Sequence, residues 1–123
     1  MLPKVAIICA NYNYSKYIIS AIESIRQQTY FGPLRLYVVD DGSTDDSWEK
    51  ISQQKTCEPK IAKSDFLWTK RIENSGASVA RNTAIEMCLD WADIIGILDA
   101  DDAYYPTKVE KLVKKLVEHE EVG

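Results

Sequence analysis

The feature that most limits what this chain can fold into is Ile94-Ile95-Gly96-Ile97-Leu98-Asp99-Ala100-Asp101-Asp102, an apolar run that stops in a cluster of carboxylates. Consecutive apolar and small residues read as a strand buried on both faces, the mark of a parallel sheet covered by helices. Carboxylates directly after such a strand fall at the carboxyl edge of the sheet, where open α/β sheets hold ligands. In an extended segment Asp99 and Asp101 point to one side, because side chains alternate with period two. Like charges placed together disfavour each other's ionisation, and a divalent cation removes that penalty. Hard oxygen ligands suit Mg2+ or Mn2+, ions that commonly reach proteins through one or two carboxylates plus substrate phosphates. The competing reading is a solvated turn with an aspartate capping the next helix. This stretch by itself leaves both open.

The rest of the chain repeats the pattern. Residues 4–10 form a short apolar run broken by Asn11-Tyr12-Asn13-Tyr14. Ser15 is placed to cap a helix over 15–28, with Ile18, Ile19, Ile22 and Ile25 at helical spacing. Gly32-Pro33 marks a turn, and residues 34–39 read as a second strand ending in Asp40-Asp41-Gly42. Ser43, with Asp46 three residues on, reads as an acidic variant of the capping box for a second helix, which turns Trp48 and Ile51 inward. Residues 57–64 are polar, contain Pro59 and read as a loop. A weaker third strand is expected over 66–72, with Phe66, Trp68 and Ile72 facing away from Leu67 and Lys70. After the turn Asn74-Ser75-Gly76-Ala77, a helix over 78–89 carries Val79, Ala80, Thr83, Ala84, Met87 and Cys88 as its stripe. A fourth strand follows over 93–98. Pro106 then stands at the start of a last helix, whose inward stripe is Val109, Leu112, Val113, Leu116 and Val117. Strands alternating with helices imply a three-layer α/β/α sandwich on a mostly parallel sheet with right-handed crossovers.

At 123 residues the chain suits one domain, and 46% apolar with 28% charged residues is a globular profile. A net charge of −4 argues against a nucleic-acid partner, which calls for a basic face. Lys108, Lys111, Lys114 and Lys115 are interleaved with Glu110, Glu118, Glu120 and Glu121, which reads as a solvated helix face. Cys9, Cys57 and Cys88 are too scattered for a disulfide framework or a zinc site, and they imply a reducing, cytoplasmic setting. No stretch reads as a signal sequence or a membrane span. His119, in a charged tail, reads as a surface residue.

Strands one, two and four therefore end in Asn11-Tyr12-Asn13, Asp40-Asp41 and Asp99-Ala100-Asp101, all on one rim of a parallel sheet. One acidic turn is ordinary, but two on the same rim beside an aromatic resemble a ligand crevice. Tyr12 is either a half-buried core tyrosine or a ring for a nucleobase. Asp40 and Asp41 are either turn residues or acceptors for a base or ribose. Arg81 is either a surface ion-pair residue or a phosphate partner near a helix N-terminus.

On these residues the chain resembles the family 2 glycosyltransferases of the GT-A fold. Residues 6–13 resemble that family's opening strand, and residues 21–30 its first helix with a Gln-Thr exit. Val38-Val39-Asp40-Asp41-Gly42-Ser43 follows its second strand end, and residues 74–83 together with Leu98-Asp99-Ala100-Asp101-Asp102 and Pro106 complete the order. The resemblance covers nearly the whole chain. It implies a nucleotide-sugar donor, most often a UDP-sugar, with Tyr12 stacked on the base, Asp41 bonded to it and Asp99 near the ribose. Asp101, with Asp99, would hold Mn2+ or Mg2+. Ala10, Asn11, Asn74, Gly76, Arg81 and Ala100 complete the implied donor-binding set. The implied reaction is inverting transfer to an acceptor hydroxyl on a glycan, a lipid-linked saccharide or a protein, as in polysaccharide biosynthesis.

Two departures stand out. Ala10-Asn11 replaces the common Pro-Thr, and the later half of the family, which supplies the catalytic base, has no counterpart here. The expectation is an N-terminal donor-binding portion with the acceptor half absent. Such a piece would transfer little sugar alone, would reach a membrane only through a missing segment or partner, and would self-associate through an uncovered flank. Other readings are a nucleotide-binding domain without turnover, a nucleotidyltransferase and a phospho-receiver domain. The nucleotidyltransferase normally has a glycine-rich loop after strand one, and the receiver domain an acidic pair there; Asn11 to Ser15 supplies neither.

Overall fold

The computed structural model describes the backbone over residues 2–56 and 66–122, and side chains over 2–54 and 66–118. The loop expected at 57–64, Cys57 and the side chain of His119 lie outside these limits.

Eight elements alternate along the chain: β1 (Val5–Asn11), α1 (Ile18–Arg26), β2 (Leu34–Asp40), α2 (Ser47–Thr56), β3 (Leu67–Arg71), α3 (Ala77–Cys88), β4 (Ile94–Ile97) and α4 (Lys108–Val122). The strands form one parallel sheet in the order β3-β2-β1-β4. The period-two pattern of β1 explains the two cores. Val5, Ile7 and Cys9 face α1, α2 and α4, with Ile22, Ile25, Ile51, Val109 and Val113 packed on them. Ala6 and Ile8 face the other way, with Ala80, Ala84 and Cys88 of α3. This is the three-layer α/β/α sandwich expected. The chain steps outward from β1 to β3, then crosses back to place β4 on the far side of β1. The reversal opens a crevice at the carboxyl ends of β1 and β4, where such sheets hold ligands.

Several local expectations are corrected. Ser15 does not cap α1, which starts three residues later at Tyr17–Ile18 without a side-chain cap. The Ser15 N–H donates instead to Asp45 Oδ2 (3.1 Å) and its hydroxyl bonds to Asp46. Nor does Ser43 cap α2. The helix begins at Ser47, with Asp46 O accepting the Lys50 N–H and Asp45 Oδ1 accepting the Ser47 N–H (2.9 Å). Both serines are claimed by neighbouring loops, which a local capping rule cannot foresee. Phe66 packs with Leu67 on the α1 side rather than with Trp68 and Ile72, because it precedes the strand and escapes its alternation; Lys70, expected on the face of Leu67, has the parity of Trp68 instead and is exposed.

The strand expected to be buried on both faces is not. Among the described residues β4 pairs only with β1; Ile94, Ile95 and Gly96 are half-buried, and Ile97 is 55% exposed. On α3, Val79 lies outside the packed stripe. On α4, among the described side chains, only Val109 and Val113 reach the core, while Leu116 and Val117 are exposed. Trp48 and Ile51 do face inward.

Candidate donor-binding rim

The floor of the rim is a buried polar cluster. Asn11, the last residue of β1, lies opposite Asp40 of β2, and both are fully buried. Asn11 Nδ2 donates to Asp40 Oδ1 (2.9 Å) and to Ser43 Oγ (3.2 Å). Asp40 also accepts the Ser43 hydroxyl (2.6 Å) and the Ser43 N–H (3.0 Å). From β3, Arg71 places Nε 3.6 Å from Asp40 Oδ2 and donates from Nη2 to Ser43 O (3.1 Å). Asp40 thus joins three strand ends, and its carboxylate is filled by donors from Asn11 and Ser43. Asn11 Oδ1 is buried without a hydrogen-bond partner among the described residues. A buried carbonyl lacking a partner is a destabilising feature of the kind that collects at functional sites.

Asp41 is the next layer. It is only 3% exposed, yet its carboxylate accepts the backbone N–H of Ser75 (2.8 Å) and of Gly76 (3.0 Å), with Asn74 Nδ2 at 3.4 Å. Asn74 Nδ2 also donates to Asp41 O (3.1 Å). Asp41 therefore fixes the loop that leads into α3. Gly42 (φ +68°) lets the chain turn there, since a Cβ would lie 2.7 Å from Asn74 N. Gly76 (φ +101°) opens α3, and a Cβ on it would meet no atom within 4 Å, so open space lies beside this helix start.

Tyr12 rises above the floor with 42% of its surface exposed. Ala10, half-buried, packs on the α3 side of β1. Across the crevice, β4 stops at Ile97 and the Asp102 N–H donates to Asp99 O (2.9 Å), closing a turn over Asp99 to Asp102. The extended geometry expected for Asp99 and Asp101 is replaced by this turn. Even so, both carboxylates are exposed while Ala100 between them is buried. Arg81 of α3 sits 3.7 Å from Asp99 Oδ1, joining the α3 side of the rim to the β4 side. Asp102 Oδ1 accepts the Ala103 N–H (2.8 Å) and braces the turn.

Two groups below the turn report how tightly the parts converge. Burial pushes the Cys9 thiol up to about 12, and the charges of Asp99 and Asp101 add to the rise while Arg81 opposes it. The Tyr104 hydroxyl, which donates to Ile97 O, is also raised, first by burial and then by Asp102, Asp99 and Cys9. Among the described residues no three His, Cys, Asp or Glu side chains are grouped to hold a metal ion. Asp99 and Asp101 suit a cation that takes its remaining ligands from a bound phosphate or water, as Mg2+ commonly does.

The sequence reading set the ends of strands one, two and four on one rim, with Asn74, Gly76 and Arg81 as further donor-binding candidates; in the structure Asp41 is bonded to Asn74 and Gly76, and Arg81 is paired with Asp99. The same reading placed Asn13 on the rim without a role, read Ser43 only as a helix cap, and gave Arg71 no part in the site. Arg71 was recoverable from strand register, since parallel pairing sets it beside Asp40.

Comparison with known proteins adds four findings. The sequence profile of glycosyl transferase family 2 matches residues 6–123. A protein of Nostoc sp. described as an uncharacterized glycosyltransferase is 32% identical over 120 residues, covering 98% of this chain and 35% of its own. Among solved structures, Staphylococcus aureus TarS in complex with UDP-GlcNAc superposes with a TM-score of 0.77 at 24% identity, covering 95% of this chain and 32% of TarS. The mannosyltransferase of Pyrobaculum calidifontis in complex with GDP-Man and Mn2+ superposes with a TM-score of 0.73 at 28% identity, covering 92% of this chain and 31% of its own. The chain spans about a third of the length of each.

Proposed function

This chain belongs to glycosyl transferase family 2, and from that premise we propose that it is the donor-binding N-terminal portion of an enzyme that moves a sugar from a nucleotide diphosphate to an acceptor hydroxyl. The observation that carries the reading is the single rim on which exposed Tyr12, the α3 start at Gly76, and the Arg81–Asp99–Asp101 group meet. Tyr12 offers its ring to the base, and Asp41 offers the lone pairs its backbone partners leave. The start of α3, whose helix dipole favours negative charge, and Arg81 take the phosphates. The Arg81–Asp99 pair is largely exposed and weak, so an incoming phosphate can draw Arg81 away and free Asp99 for the ribose. Asp101, with Asp99, would hold Mn2+ or Mg2+, which when bound neutralises charge on the departing diphosphate.

UDP is the favoured nucleotide. Support comes from TarS, solved with UDP-GlcNAc; the mannosyltransferase solved with GDP-Man keeps GDP as the alternative. Transfer inverts the anomeric carbon by direct displacement. Asp102 is tied to the turn, so the base that deprotonates the acceptor comes from sequence beyond this portion. The chain alone binds donor and transfers little sugar. It works in the cytoplasm, where free Cys9 and Cys88 stay reduced. No helix among the described residues is long and apolar enough to cross a membrane.

The test is a calorimetric titration with UDP and with GDP, each with and without Mn2+, on this chain and on Asp101→Ala. Metal-dependent binding that disappears in the variant is expected. Equal affinity with and without metal would remove the metal role, and a folded chain that takes neither nucleotide would remove the donor site.

A further inference from the structure

We propose that Asn13 is a positioning residue: it locks the β1–α1 loop onto the β2–α2 loop and so holds the Tyr12 ring ready for the base. The inference rests on the donor-site reading above and names what keeps that site in shape. Asn13 has φ +59°, the one non-glycine residue with positive φ among the described residues. Asparagine tolerates this conformation better than most side chains. The conformation places both ends of Asn13 on the neighbouring loop. Its N–H donates to Ser43 Oγ (3.0 Å). Its Oδ1 accepts the N–H of Thr44 (2.8 Å), the N–H of Asp45 (3.2 Å) and the Thr44 hydroxyl (3.3 Å).

The stitching continues on both sides. Asn11 is fixed below by Asp40 and Ser43. The Ser15 N–H donates to Asp45 Oδ2, and Lys50 Nζ donates to Ser15 O (3.0 Å). Tyr12 therefore stands between two anchored asparagines, with its ring exposed and its backbone held. A stacking platform that is already ordered spares the ligand the cost of ordering it. Asn13 touches no reacting group in this scheme; it acts through Tyr12.

Two substitutions separate this role from general stability. Asn13→Gly keeps the positive φ without steric cost, removes the side-chain acceptor and adds backbone freedom to the loop. Asn13→Asp keeps an acceptor, and high salt screens its added charge beside Asp45. Each is made in the full chain with ring-labelled tyrosine, the Tyr12 signals being assigned with Tyr12→Phe. UDP affinity is measured by calorimetry at a temperature where circular dichroism shows the variants folded. Asn13→Gly should bind UDP about tenfold more weakly, the scale of ordering one backbone residue on binding. Its Tyr12 signals should move toward free tyrosine, and Asn13→Asp should restore both readouts. The proposal is overturned if Asn13→Gly binds within twofold of the parent with Tyr12 signals unchanged, or if Asn13→Asp is as weak as Asn13→Gly. A parent chain that binds no nucleotide would instead remove the donor reading, and the Tyr12 signals would still decide whether Asn13 locks the loop.

Discussion

Replacing Asp40 by alanine tests whether the buried carboxylate holds the rim together. Asp40 is fully buried and accepts from Asn11 Nδ2 (2.9 Å), the Ser43 hydroxyl (2.6 Å) and the Ser43 N–H (3.0 Å). Hydrogen bonds to a charged acceptor contribute about 1.5–3 kcal/mol each, but bonds sharing one acceptor group are not additive. After the substitution Asn11 Nδ2 still has Ser43 Oγ, and Arg71, half-exposed, can turn to water. The Ser43 N–H keeps no partner, and a small void opens. The expected loss is about 3–4 kcal/mol. A chain of 123 residues has roughly 6–18 kcal/mol at ~0.05–0.15 kcal/mol per residue, so the variant stays folded in water. In urea, with m of about 1–3 kcal/mol/M, the midpoint should fall by roughly 1–4 M. Asp40→Asn should lie between, because its amide presents a donor where Ser43 also donates. Arg71→Ala, an exposed partner, should cost under about 1 kcal/mol. If Asp40→Ala loses less than about 1 kcal/mol, or no more than Arg71→Ala, the assignment of Asp40 as the buried brace is wrong.

Three further outcomes are expected. Gly42→Ala combines a positive φ with a Cβ 2.7 Å from Asn74 N, whereas Gly76→Ala has positive φ but open space. Urea unfolding should show a loss of about 2–4 kcal/mol for the first and about 1–2 kcal/mol for the second, and equal losses would mean the Asn74 contact yields freely. The Cys9 thiol, raised to about 12, keeps its proton in the folded chain at pH values where the unfolded chain loses it. Its share of stability is complete below the unfolded value near 8.5–9 and falls by up to ~1.4 kcal/mol per pH unit from there to about 12. Cys9→Ala should flatten that part of the stability curve, and an unflattened curve would contradict the shift. Exposed Ile97 on the β4 edge should drive self-association at high concentration. Light scattering should find Ile97→Lys monomeric at an unchanged urea midpoint, whereas a monomeric parent chain would leave the edge without that role.

The order of elements was legible because each buries a face with its own period. Val5, Ile7 and Cys9 against Ala6 and Ile8 divide two cores as an alternating strand must. Ile22 and Ile25, and Ala80 and Ala84, divide as helices must. Less visible was anything decided by a partner distant in sequence. Ser15 and Ser43 carry good cap chemistry, yet Asp45, Asp46, Asp40 and Asn13 compete for the same atoms and win. The apolar letters of β4 are the same whether a strand pairs on its far side or not, so its exposed Ile97 could not be read. Leu116 and Val117 keep helical spacing past the point where the core ends.

The four aspartates of the rim carry the same point to function. Asp40, Asp41, Asp99 and Asp101 are one residue type at the ends of two parallel strands, and composition treats them alike. Their surroundings divide them. Asp40 takes donors from Asn11 and Ser43 and is sealed from water; Asp41 takes the N–H groups of Ser75 and Gly76 and keeps part of its lone-pair capacity. Asp99 has a single long ion pair with Arg81. Asp101 is exposed with no hydrogen bond or ion pair to a described side chain. A carboxylate whose lone pairs are filled by fixed N–H groups cannot also take a cation without breaking them, and that loss is paid in stability. Of the four, Asp99 and Asp101 are the two whose carboxylates are not filled by fixed backbone N–H groups, which is what the proposed cation site requires. The division of labour between brace and ligand is therefore set by where backbone N–H groups point, and that depends on the loops after β2 and β3 closing over Asp40 and Asp41 while the turn after β4 leaves Asp99 and Asp101 open.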